Sequence, residues 1–79
     1  MNHHTGKLSG RIISASARCI VYDHKREVIH LSSDNRSLVT SVAKLQQKRD
    51  SGGDYRVYEF AGGDWLEIPI ERASSESST

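Results

Sequence analysis

From Arg11 to Asp23 the chain alternates with period two. Ile13, Ala15, Ala17, Cys19 and Val21 fall on one side, and Ile12, Ser14, Ser16, Arg18, Ile20 and Tyr22 on the other. Alternation of that length argues for a half-buried strand and commits the chain to a sheet. A second apolar stretch follows at about Val28 to Ser32, with Ile29 and Leu31 on one face. Pairing Val21 with Ile29 and Cys19 with Leu31 keeps both apolar sets on the same side, whereas a one-residue slip would invert a strand. That register leaves Asp23 to Glu27 as a five-residue connection.

A helix is expected next. Ser33, Asp34 and Asn35 offer N-cap oxygens for the unpaired first-turn N–H groups. Leu38, Val39, Val42 and Leu45 recur at three- and four-residue steps and make an apolar stripe. Lys44, Lys48 and Arg49 suit the negative end of the helix dipole, and Ser51-Gly52-Gly53 offers a left-handed glycine stop.

Tyr55 to Phe60 and Trp65 to Ile70 then flank Ala61-Gly62-Gly63-Asp64. A Gly-Gly pair suits the positive φ angles of a two-residue hairpin turn, which pairs Phe60 with Trp65, Tyr58 with Glu67 and Val57 with Ile68. Pro69 cannot donate a ladder hydrogen bond, so the last strand is expected to lie at a sheet edge or to end there.

The order is β-β-α-β-β. The expected fold is an α+β two-layer sandwich, two antiparallel hairpins forming a four-stranded sheet with one helix packed on one face. Residues 11–70 make one domain. Residues 1–10 read as a flexible N-terminal segment, and residues 71–79 as a disordered Ser/Glu-rich tail.

The inner face takes Ile13, Ala15, Ala17, Cys19, Val21, Ile29, Leu31, Val57, Leu66 and Ile68. The opposite face is expected to stay open, and it collects Tyr22, Tyr58, Phe60 and Trp65, four of the five aromatic residues, together with Arg56. An open antiparallel face is normally polar. Aromatic and arginine anchors on such a face point to protein binding, and a homodimer would add to the small core that 79 residues can bury. The expected function is therefore a non-enzymatic protein-interaction module, a small regulatory or adaptor-type protein, acting through Tyr22, Arg56, Tyr58, Phe60 and Trp65.

Charge supports an alternative. Residues 1–50 carry nine Lys or Arg against four Asp or Glu, while residues 51–79 carry two against six. A basic surface of Lys25, Arg26, Lys44, Lys48 and Arg49 would suit nucleic acid, whose binding is dominated by phosphate neutralisation. The aromatics lie in the acidic half, on the other layer from these cations, which favours the protein partner.

Other chemistry finds no support in the residues. The chain contains no Gly-x-Ser-x-Gly, phosphate-binding loop, His-Glu-x-x-His or Cys-x-x-Cys pattern. No enzyme, cofactor, small-molecule substrate or resident metal is expected, although Met1-Asn2-His3 has the spacing to wrap Cu(II) or Ni(II). Cys19 is the one cysteine and sits on the expected inner face, where a small buried hydrophobe is the ordinary role. With no disulfide, no signal-like start and no long apolar run, the expected setting is cytoplasmic, with no membrane partner.

Overall fold

The computed structural model describes residues 3–70. In chain order they form β1 (His4–Leu8), β2 (Arg11–Ala15), β3 (Cys19–Asp23), β4 (Val28–Ser33), α1 (Arg36–Arg49), β5 (Tyr55–Ala61) and β6 (Asp64–Ile68). The α+β class holds, but the sheet has six strands in the order β2-β1-β6-β5-β3-β4. Every neighbouring pair is antiparallel except β1 and β6, which run parallel and meet at the rung Lys7↔Asp64.

The second hairpin matches its expected register. Phe60 faces Trp65, Tyr58 faces Glu67 and Val57 faces Ile68. Gly62 and Gly63 both take positive φ, 62° and 87°, as the tight turn requires. Strand β6 stops at Ile68, just before Pro69, but it lies inside the sheet between β1 and β5 rather than at an edge.

The first half departs further from expectation. The alternating run is two strands, broken at residues 16–18. Residues 4–8, read as part of a frayed segment, form β1, which pairs with β2 along its whole length. Gly6 permits the close approach of β1 to β6, because a Cβ there would run into the Gly63 carbonyl oxygen and the Phe60 ring. A glycine inside a strand often marks such an approach. Met1, Asn2 and the Ser/Glu-rich tail lie outside the described residues.

The β3–β4 register also differs. Val21 faces Leu31 and Tyr22 faces Ile29, with an irregularity between them at His30. A bulge inserts one extra residue, so Ile29 and Leu31 reach opposite faces despite their i, i+2 spacing. Asp23 pairs with Val28, which shortens the connection to residues 24–27, closed by the Glu27 N–H donating to the Asp23 carbonyl at 2.6 Å.

Asn35 is the helix N-cap, its side-chain oxygen accepting the Leu38 N–H at 3.1 Å. Helix α1 packs on β5, β3 and β4. It does so through Val39 and Ala43, while Leu38 and Leu45 stay about half exposed. The C-cap is Asp50, so the expected left-handed glycine stop is not used.

Both faces of the sheet are buried. On one, Cys19, Val21, Tyr55 and Val57 meet Val39 and Ala43 of the helix, with Leu31, Ile68 and Ile70 around them. On the other, Leu8, Ala15, Ile20, Tyr22, Tyr58 and Trp65 form a second core, flanked by Ile13, Ile29 and Phe60. Strands β2 and β3 are not bonded neighbours, yet both feed this second core, so the sheet curls around it. Ile13, Ala15 and Ile29, expected under the helix, therefore belong to the curled side, and Leu66 is exposed.

Candidate functional site

The aromatic residues expected on an open face are enclosed. Tyr22, Tyr58 and Trp65 are buried, and Arg56 and Phe60 are half-buried. The covering element is the β1–β2 hairpin, whose first strand falls in the segment expected to be flexible. Phe60 packs edge-on to Trp65 with ring centroids 5.1 Å apart and also meets His4 at 5.1 Å. Arg56 is held by Asp54 at 3.0 Å and by Glu67 at 3.7 Å. These five residues make a core and its rim, not a free anchor set.

The basic residues are placed differently. Arg26 Nη1 bonds the Asp23 carboxylate at 2.6 Å, and Nη2 reaches Asp50 at the helix end at 3.1 Å. The Tyr55 hydroxyl donates to the same Asp50 at 2.8 Å. Asp23 is buried and also accepts the backbone N–H groups of Lys25, Arg26 and Asp54. Burial pushes its carboxyl upward, but the Arg26 guanidinium and those N–H groups outweigh that and hold it below the ordinary range. The Tyr55 hydroxyl, ahead of Arg26, likewise lowers the Asp50 carboxyl.

This network ties the β3–β4 turn to the helix end. It brings Lys25 to the same end of the molecule as Lys48 and Arg49, with Lys44 one turn back. Lys25, Lys44, Lys48 and Arg49 are exposed and form no ion pair with another described residue. Arg26 differs, being spent on the tether.

Exposed apolar surface lies beside β4. Arg36 pairs with Glu59 of β5, and Gln47 bonds Gly53 and Tyr55, so that flank of α1 leans toward β5. Helical geometry, with a turn of about 3.6 residues, puts Leu38, Val42 and Leu45 on the other flank, above β4. Strand β4 is an edge with no charged residue, and Val28, Leu38 and Leu45 are 49, 46 and 49 % exposed.

A cleft opens where the β1–β2 turn meets the β3–β4 turn. It holds about 120 Å³ and is lined by Leu8, Ser9, Arg11, Tyr22, His24 and Glu27. Arg11 and Glu27 form an ion pair at 2.7 Å across it. His24 Nε2 lies 2.6 Å from the Tyr58 hydroxyl. The Tyr22 hydroxyl is buried with no hydrogen-bond partner among the described residues. Sequence reasoning missed this cleft because it took residues 1–10 as unstructured and so had no β1–β2 turn to set against His24.

Cys19 is buried, and burial, with Glu59 adding to it, pushes its thiol up, which disfavours the reactive thiolate. Among the described residues no three His, Cys, Asp or Glu side chains gather as a metal site, and no helix is long and apolar enough to cross a membrane. No protein-family model, curated protein or solved structure matches the chain.

Proposed function

We propose that the chain is a non-enzymatic interaction module that pairs with a second copy of itself along β4. The supporting observation is an open, uncharged edge strand lying beside the half-exposed Leu38 and Leu45 of α1. Unpaired edges are templates for strand addition, and soluble folds usually blunt them with charge or proline. Val28–Ser33 has neither charge nor proline, and the bulge at His30 is its one irregularity.

A second copy suits this edge. An antiparallel β4–β4 pair about a twofold axis sets no like charges opposite one another. It would also bring the two α1 flanks together, so that Leu38, Val42 and Leu45 of each copy lose water contact. The interface thus moves from the enclosed aromatics to the opposite side of the fold.

Sedimentation of the wild type and of a Leu38→Glu/Leu45→Glu variant tests this. Both positions are exposed, so the variant should keep the wild-type circular dichroism. The expected outcome is a dimeric wild type and a monomeric variant. A wild type that stays monomeric throughout the concentration range rejects the reading.

A second reading rests on the Arg26–Asp50 tether, which gathers Lys25, Lys48 and Arg49 at one end. Such a patch suits the phosphates of nucleic acid. With Lys44, these four exposed cations, which pair with no other described residue, predict a log–log salt slope no steeper than roughly −4. Mobility shifts with DNA and RNA over a salt series, repeated with Lys48→Glu/Arg49→Glu, check it.

A further inference from the structure

The cleft between the two turns combines features that no other part of the described chain combines. Ser9 and Glu27 are the non-glycine residues with positive φ among the described residues, at 53° and 58°, and both line it. Left-handed backbone costs an ordinary residue about 1–2 kcal/mol, and each turn would be served more cheaply by glycine. Both positions instead carry side chains that line the cleft, and Glu27 is paired with Arg11. Retained strain at a concave site is a pointer to function.

The electrostatics select the ligand. One cation and one anion face the cleft, 2.7 Å apart, and both are more than half exposed. An exposed pair of this kind contributes only about 0–1 kcal/mol, so separating it costs little. A simple anion would meet Glu27 along with Arg11, and a simple cation would meet Arg11 along with Glu27. A molecule carrying both charges satisfies both at once. The two charges must lie on adjacent atoms of its skeleton, because the protein's own charges touch. The volume of about 120 Å³ accommodates only a few heavy atoms, far below the roughly 300–1,000 Å³ of drug-sized pockets.

We infer that this cleft binds a small α-amino acid, its carboxylate on Arg11 and its ammonium on Glu27. Leu8 and the Tyr22 ring supply the apolar wall for a short side chain. His24, already bonded to Tyr58 through Nε2, stands beside them as a further polar contact. The cleft is lined by no residue of β4 or α1, although Glu27 directly precedes Val28, so self-association and ligand binding are read by separate measurements.

Amide-resolved NMR titration of the full chain tests the inference with three probes: L-alanine, acetate and ethylammonium. Alanine is expected to shift the resonances of Ser9, Arg11, His24 and Glu27, while acetate and ethylammonium at the same concentration do not. Arg11→Gln and Glu27→Gln should each weaken alanine binding by about tenfold and, being surface changes, leave the rest of the spectrum in place. Acetate binding as tightly as alanine, with Glu27→Gln retaining or improving it, overturns the zwitterion assignment in favour of a plain anion site. Absence of cleft shifts with all three probes overturns the site itself. Neither result bears on the oligomeric state.

Discussion

The indole N–H of Trp65 donates to the backbone carbonyl of Ile13 at 3.0 Å, linking β6 to β2 across 52 residues of chain. These strands are not neighbours in the sheet, because β1 lies between them. The bond therefore spans the curl and holds the N-terminal hairpin over the aromatic core. Trp65→Phe keeps an aromatic ring but leaves the carbonyl without this donor. The expected loss is about 1–3 kcal/mol in urea unfolding, with slowed-exchange protection falling first in β1 and β2.

Gly6→Ala tests the same closure from the other side. The added methyl would meet the Gly63 carbonyl and the Phe60 ring, and backbone cannot yield as a side-chain tip can. A destabilisation of about 1–3 kcal/mol is expected, measured by thermal or chemical unfolding. Gly10, where a Cβ meets nothing within 4 Å, marks the contrast: any cost of substitution there comes from its positive φ rather than from crowding.

Tyr22→Phe should behave in the opposite way. The phenol oxygen is buried without a partner among the described residues, and such a group costs about 1–3 kcal/mol relative to one that is bonded. Removing it while keeping the ring predicts a variant at least as stable as the wild type. A clear loss of stability in urea would show that the hydroxyl is satisfied by an ordered water.

Stability should fall in acid through Asp23. Burial raises its carboxyl, but the Arg26 guanidinium and three backbone N–H groups more than reverse this, so the folded value lies below the ordinary carboxylate range. A group depressed in the folded state contributes stability that is fully present above its unfolded pKa and is lost as pH falls through the folded one. The loss therefore belongs below about pH 4. Asp23→Asn should flatten that acid limb and, by weakening the charged hydrogen bond to Arg26, cost about 1–3 kcal/mol near neutral pH. Unfolding midpoints over a pH series read both effects.

Local chemistry was legible wherever a few neighbouring residues decide it. The Gly62-Gly63 turn sets its own φ angles and carries the register of Phe60 with Trp65. Asn35 caps α1 by bonding a backbone N–H three residues away. Pro69 ends β6 because it has no N–H to give.

What the sequence alone determined, then, is the α+β class, the helix with its cap, the second hairpin and the identity of the apolar residues. Tertiary structure decided which core each of them joins. Ile13 and Tyr22 have opposite parity in the alternating run, yet they share one core, because the break at residues 16–18 carries the chain across the curl and resets which face is inward. Ile29 and Leu31 have the same parity and are split between two cores by the bulge at His30. Period two reports which residues share a face within one unbroken strand, and it is silent about a strand's place in a bent sheet. The aromatic side was covered for the same reason: the β1–β2 hairpin that closes it is held by contacts with β6 far along the chain, at Gly6 and Trp65.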